Sequence, residues 1–471
     1  MLVSKKKPKN EKSLTLRGPE SVFTLMMLKW ISYTGEDRKM VATFSMSMKK
    51  MLKGTFGFFV LALGSSVQGQ FLPVQKGPEF IPNRYIVILD ESKVTNGSFA
   101  AMKPVIGGFE NRVSHVYNAT FPGFAAELTP AELARVKADP RVVHVEQDQV
   151  VRLSAKKSGG RKPSPGTGTQ PSQSIPWGIS RIMATGVGTV DVDVAIIDTG
   201  IDLSHPDLNV AGGRNFAGGN VKSYSDGNGH GTHVSGTVAA LDNNIGVVGV
   251  APGARLWAVR VLDNNGSGTM SGVISGVDWV TANARTIEVA NMSLGGGNSA
   301  ALNAAIDKAV SGGVTFVVAA GNSGVDTRNT SPANSTSKGV ITVSAMDSNS
   351  NLASFSNFGI NYETGDTDEN GVDVTAPGVN IYSTYKGSSY TTMSGTSMAS
   401  PHAAGVAALC KSVNPSLTPE EVKFAVMTSA PSVNLSYNGL NIVGSYPWAV
   451  VNDYRDGQTE PLVNASAFIQ P

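Results

Sequence analysis

Four short polar motifs carry residue types that nucleophilic acyl transfer requires. Ser397, in Ser394-Gly-Thr-Ser-Met-Ala-Ser-Pro-His402, follows a Gly-Thr turn and precedes an apolar helix over 403–410. A serine there is either a helix cap or a nucleophile. In the second case the turn exposes its hydroxyl, and the helix start offers backbone N–H groups to an oxyanion. His230 and His233 open a small-residue helix in Gly229-His-Gly-Thr-His-Val-Ser-Gly236. Their spacing sets both near one face, which admits a metal pair. No glutamate stands between them and no cysteine is nearby. One histidine as general base, with the other as its structural neighbour, fits better. Asp198 ends an apolar run in Ile197-Asp-Thr-Gly-Ile-Asp202, where a carboxylate can receive a histidine N–H. Asp202 reads instead as a turn or capping group. Asn322, in Val318-Ala-Ala-Gly-Asn-Ser323, is a turn residue or a second oxyanion donor. Each signal alone is weak to moderate. Their order, each in an extended motif, is specific.

These motifs need elements to hold them. From Gln173 onward, β-branched runs at 192–197, 256–261, 289–292 and 314–318 alternate with helical stretches at 231–240, 272–284 and 300–311. The alternation predicts an α/β fold, a doubly wound, mostly parallel sheet with helices on both faces. Chemistry in such sheets collects on loops past the C-terminal strand ends, which is where these motifs stand. Ahead of this domain, 80–153 reads as a small α+β unit, with strands at 85–89, 141–145 and 150–151 and a helix at 130–137. Residues 154–172 are rich in Gly, Pro, Ser and Lys and form a linker.

A basic start at Met48, an apolar run from Thr55 to Leu63 and a small-residue exit to Gln70 give residues 48–70 the three parts of a secretory signal. That run is too short for the roughly 20 residues of a membrane span. Residues 1–47 form a Lys-rich leader without apolar periodicity and without an assigned role. The 471 residues are 41% hydrophobic and 16% charged, which supplies a core and argues against disorder. A net charge of +2 hides a partition: 12 Lys/Arg against 4 Asp/Glu in residues 1–53, but 13 against 23 in 173–471. The acidic C-terminal part disfavours a nucleic-acid partner. A single cysteine, Cys410, excludes an intramolecular disulfide and a cysteine-rich zinc site. Cys410 and His402 read as helix-packing residues.

Together, Asp-Thr-Gly, His-Gly-Thr-His and Gly-Thr-Ser-Met-Ala-Ser-Pro resemble the subtilisin family of serine peptidases over about 173–435, with further likeness at Gly-Val-Ala-Pro252 and Ala376-Pro-Gly378. The resemblance implies a secreted serine endopeptidase, acting as a monomer on protein or peptide substrates and made as a self-processed precursor. Asp198 would orient the imidazole, His230 serve as base, Ser397 attack, and Asn322 stabilise the oxyanion. Residues 71–153 resemble the family's inhibitory propeptide, which makes 173–471 the catalytic domain. Glycine-rich stretches at Gly266, Ser267 and Gly268 and at Ser293, Leu294 and Gly295 leave backbone free to pair with an extended substrate. Ala320 and Gly321 complete the expected pocket wall. The resemblance also implies calcium, held by side chains of Gln173, Asp207 and Asn243 and carbonyls of Leu241, Ile245 and Val247. The acidic insert 363–370 is a weaker ion candidate, and Asn118, Asn329 and Asn434 lie in glycosylation sequons. Two rivals fit less well. An inactive scaffold predicts a damaged triad, and an esterase predicts a Gly-x-Ser-x-Gly elbow around Ser397, which is absent.

Overall fold

The computed structural model describes residues 77–94, 97–153, 156–157, 170–359, 371–428, 435–437, 440–442, 450–452 and 459–469. The leader, the expected signal, most of the linker, the insert 363–370 and Asn434 lie outside them.

In the small unit, β1 (Phe80–Leu89), α1 (Phe99–Ile106), β2 (Val113–Tyr117), β3 (Gly123–Glu127), α2 (Pro130–Ala138) and β4 (Val142–Arg152) follow in order. The sheet is antiparallel, with β1 between β3 and β4. α2 starts where the sequence says it must: Thr129 and Glu132 form a reciprocal capping box and proline opens the helix. Strand periodicity divides the apolar residues of β1 between two cores. Val87 and Leu89 pack with Met102, Phe109 and Phe124 inside the unit. Ile86 joins Tyr117 and Ala125 in the core of the larger domain. The two strands expected at 141–145 and 150–151 are one. The intervening Glu146-Gln-Asp-Gln149 stays paired with β1, because its polar side chains find donors across the interface.

The chain continues through β5 (Lys156–Lys157), β6 (Asp193–Asp198), β7 (Val210–Asn215), α3 (His230–Ala239), β8 (Arg255–Arg260), β9 (Ser267–Thr269), α4 (Met270–Ala282), β10 (Val289–Met292), β11 (Gly296–Gly297) and α5 (Ala300–Ser311). It ends with β12 (Thr315–Ala319), β13 (Thr330–Ser331), β14 (Val340–Met346), β15 (Val374–Pro377), β16 (Ile381–Tyr385), β17 (Ser389–Ser394), α6 (Thr396–Val413) and α7 (Pro419–Thr428), followed by short segments. Seven parallel strands form the central sheet in the order β15-β14-β12-β10-β6-β8-β7. Strands β6, β10, β12 and β14 are buried along their whole length, as a sheet covered on both faces demands. Val194, Ile196, Val317 and Ile341 face the core that includes α3 and α6. Ala195, Ile197, Phe316 and Val318 face the core that includes α4 and α5. Asp198 and Asn322 therefore emerge from the same end of the sheet, and α3 and α6 bring His230 and Ser397 to that end.

Candidate active site

Asp198 is the last residue of β6, and His230 is the first of α3. Both are fully buried, and His230 Nδ1 lies 2.8 and 2.9 Å from the two carboxylate oxygens of Asp198. Asp226, which no sequence motif singled out, ties these elements together. Its Oδ1 accepts from the Thr199 hydroxyl and from the N–H groups of Asn228 and Gly229. Its Oδ2 accepts from the N–H and hydroxyl of Thr232. Thr199 Oγ1 in turn accepts from Gly231 N, so the strand end and the helix start share one network. Gly229 caps α3 at φ 109°, and a Cβ there would meet the Tyr385 ring at 2.2 Å. No other residue fits that turn.

Ser397 lies in the first turn of α6 and is almost wholly buried. Its hydroxyl donates to the carbonyl of Ser293 at 3.1 Å, and Ser293 Oγ donates back to the carbonyl of Ser397 at 2.8 Å. His230 Nε2 has no hydrogen-bond partner among the described residues. No hydrogen bond joins the Ser397 hydroxyl to His230 in this state, because that hydroxyl is held by the Ser293 carbonyl. Loose geometry between these groups is common before substrate is engaged. Asn322 Oδ1 accepts from Thr396 N at 2.8 Å and from Thr396 Oγ1 at 3.1 Å. A backbone N–H can only donate, so the oxygen of the Asn322 amide is assigned by its partner. Its NH₂ end is left as a donor in the cavity that Ser397 also lines.

That cavity measures about 1080 Å³. Leu294, Gly295, Ala319 and Gly321 line it, together with Thr330, Ser354, Phe355 and Asn357, which sequence motifs did not reveal. Ala320, expected in the wall, is fully buried; Ala319, at the strand end, lines the cavity instead. Asn357 shapes the wall from behind: Oδ1 accepts from Ser323 and Val325 N, and Nδ2 donates to the Ala320 carbonyl. Gly321, at φ 106°, leaves no room for a Cβ beside Asn357 Nδ2. The glycine-rich stretches do pair with an extended chain, and it is the tail of the small unit. β4 runs antiparallel to β9 with Val150 opposite Thr269, Val151 opposite Gly268 and Arg152 opposite Ser267. Arg152 also bridges Gly295, and Leu153 N donates to the Gly266 carbonyl at 2.9 Å.

Carboxylates seat the unit on the large domain. Asp148 accepts from Ser271 N and Oγ near the start of α4, and Glu146 accepts from Ser299 Oγ and Ala301 N at the start of α5. Anionic groups at helix N-termini gain from unpaired N–H groups and the helix dipole. In the reverse direction, Asp278 of α4 accepts from the N–H groups of Asn118, Ala119 and Thr120.

Comparison with known proteins bears on both parts. The model of the subtilase family matches residues 190–456. The chain belongs to the subtilase family of serine peptidases. The model of peptidase inhibitor I9 matches residues 84–154 of this subtilase, as a precursor with an inhibitory N-terminal domain requires. An alkaline protease of Alkalihalobacillus alcalophilus is 43% identical over 330 residues, covering 68% of this chain and 78% of the relative. Subtilisin E of Bacillus subtilis (strain 168) is 42% identical over 321 residues, covering 66% and 76%. A crystal structure of a cold-adapted subtilisin-like serine proteinase superposes with a TM-score of 0.50 at 38% identity, covering 61% of this subtilase and 97% of that chain.

The remaining polar residues behave as their neighbours dictate. Asp202 accepts from Ser204 N and Oγ and from Gly387 and Ser388 N, the turn role read from sequence. Burial lowers His233 to about 3 and His402 to about 4, and pushes the Cys410 thiol up to about 12. All three are neutral packing groups at ordinary pH. Some of the expected calcium ligands are joined by hydrogen bonds. Leu241, Asn243, Ile245 and Val247 lie on the loop after α3, and Gln173 Oε1 accepts from Asn243 and Asn244 N. Asp207 Oδ2 accepts from Val247 N and the Tyr390 hydroxyl, whereas Oδ1 is buried without a partner among the described residues. Burial pushes this carboxyl up to about 7. A buried carboxylate oxygen without a hydrogen-bond partner among the described residues suits a hard cation.

Proposed function

We propose that the chain is a secreted serine endopeptidase with Asp198, His230 and Ser397 as its triad and Asn322 as oxyanion donor. The observation that carries this reading is the buried Asp198–His230 pair beside a Ser397 whose cavity also holds the free NH₂ of Asn322. Asp198 fixes the tautomer of His230, leaving Nε2 to accept the Ser397 proton. The oxyanion meets Asn322 Nδ2 and the Ser397 N–H, and His230 then protonates the leaving amine. Mature enzyme should digest casein, and a fluorophosphonate should stop it. Digestion that survives full fluorophosphonate treatment would remove the serine mechanism. Residues 48–70 serve as the export signal in this reading, and no helix among the described residues is long and apolar enough to cross a membrane.

In the same reading, residues 71–153 are the inhibitory propeptide and 173–471 the catalytic domain of a monomer. Support comes from β4, which fills the groove where an extended substrate would pair. The separately expressed segment, with its own apolar core, should inhibit the mature enzyme at micromolar concentration. Unchanged peptide hydrolysis under those conditions would make it a folding spacer.

Calcium would be held by Gln173, Asp207 and Asn243 with carbonyls of Leu241, Ile245 and Val247, and its contribution is stability. An ion at about 100 times its Kd stabilises the folded state by about 2.7 kcal/mol. Chelator should therefore lower the melting temperature of the Ser397→Ala precursor by about 5 °C or more. In Asp207→Ala most of the difference between chelator and millimolar calcium should vanish. Equal melting temperatures in the parent would exclude the site.

A further inference from the structure

We propose that residues 77–79 form a strap that closes the substrate cavity alongside the β4 tail and latches that tail in place through Glu79 and Arg152. The inference rests on the reading of residues 71–153 as an inhibitory propeptide. It concerns a segment ahead of the inhibitor-family match, which begins only at residue 84.

The strap reaches the tail by a detour in β1. Tyr85 stands opposite Gln147 and Phe80 opposite Gln149, so five residues of β1 are spent against two of β4. A bulge of this kind bends its strand and re-aims the flanking segment. Asn83 takes a left-handed φ of 60° within it, and Gln147 Nε2 donates to the Ile81 carbonyl at 3.0 Å, pinning the bulge to β4. On the N-terminal side of the bulge the chain returns to β4, where Val150 N donates to the Glu79 carbonyl at 2.8 Å. Phe80 is 51% exposed, so apolar burial does not hold the segment there. Polar contacts do.

Val150 and Arg152 are two residues apart, and their backbone groups face the same edge of the tail. That edge is covered by Glu79 at Val150 and by Gly295 at Arg152, while β9 covers the other. The side chains complete the latch. Both carboxylate oxygens of Glu79 lie 3.0 Å from Arg152 Nη2, and Arg152 Nη1 donates to Ser267 Oγ at 2.9 Å. One guanidinium therefore joins strap, tail and cavity wall. Pro78 rests on the wall itself, since a Cβ on Gly297 would meet Pro78 Cβ at 2.7 Å. Gly77, Pro78 and Glu79 consequently line the cavity that Ser397 and Asn322 also line. Glu79 and Arg152 are the only charged residues among the described residues lining it, and they pair with each other. Both partners of the latch stand on paired strands of one unit, so little further ordering is needed to make it. Its effect is to keep the tail extended along β9 after processing has freed the tail's end.

The test uses the full-length chain. Parent and Glu79→Gln are allowed to process, and the lag between processing, followed by mass, and hydrolysis of a chromogenic peptide is timed. The Glu79 side chain is 62% exposed, so folding is not at stake. Residue 79 leaves with the propeptide, and turnover of the fully matured enzyme, the same in both, is the internal control. The expected result is a lag shortened about 2- to 5-fold in Glu79→Gln, the span that an exposed ion pair supplies. In an Arg152→Gln background the same substitution should shorten the lag no further, because its partner is gone. A lag in Glu79→Gln equal to or longer than the parent's overturns the strap and leaves the propeptide reading standing. So does a full further shortening in the Arg152→Gln background. A parent that hydrolyses peptide as soon as it is processed, with no lag, overturns both.

Discussion

Replacing Ser397 by alanine is expected to reduce peptide hydrolysis to near background and leave the precursor whole. The substitution removes one oxygen from a residue that is almost wholly buried and leaves the Asp198–His230 pair intact. Folding should therefore survive, with a melting temperature within a few degrees of the parent. In subtilisin, loss of the nucleophile costs about a million-fold in kcat, and a loss of that order is expected here. Both readouts come from one preparation: hydrolysis of a chromogenic peptide and the mass of the accumulated chain. Processing in this variant without added protease would end the case for self-maturation.

The second large effect belongs to Asn322→Ala, where two consequences must be separated. In the proposed mechanism the amide NH₂ is the oxyanion donor, and losing one such donor in subtilisin costs about 100- to 1000-fold in kcat. The amide oxygen accepts from both Thr396 N and Thr396 Oγ1, and unpaired buried donors cost about 1–3 kcal/mol. The variant should lose both turnover and a few degrees of melting temperature, with KM little changed. Asn322→Asp keeps the acceptor for Thr396 and removes the donor, so it should recover stability without recovering turnover. Near-normal turnover in the folded fraction of Asn322→Ala would leave Asn322 a turn residue only.

What the sequence disclosed follows from what chemistry leaves free to vary. The triad candidates and Asn322 stood out because their residue types, turns and strand ends are demanded together. The alternation of runs gave the doubly wound sheet, since strands buried on both faces must be apolar throughout. Asp226 and Asn357 were silent because any fold contains such residues; only tertiary structure gathers five donors onto one carboxylate. Thr330 lines the cavity because β13 pairs with β11, a contact between distant segments that no local pattern signals. The β16–β17 hairpin escaped for the same reason, although β17 pairs with Lys156 and Lys157. Ser293 was read as a source of free backbone. Its carbonyl in fact holds the Ser397 hydroxyl, a rotor choice invisible in sequence. The continuity of β4 was hidden because Glu146 and Asp148 break its apolar pattern. Their partners lie on another domain.

The central claim is that Ser397 is the nucleophile and His230 its base. Its most direct measurement is to label mature enzyme with a fluorophosphonate and locate the adduct by mass spectrometry of the digested protein. The account predicts stoichiometric modification of Ser397, with loss of casein digestion in the same proportion and little labelling when His230 is replaced by alanine in a folded chain. An adduct on another serine, or full casein digestion by enzyme modified at Ser397, would contradict it.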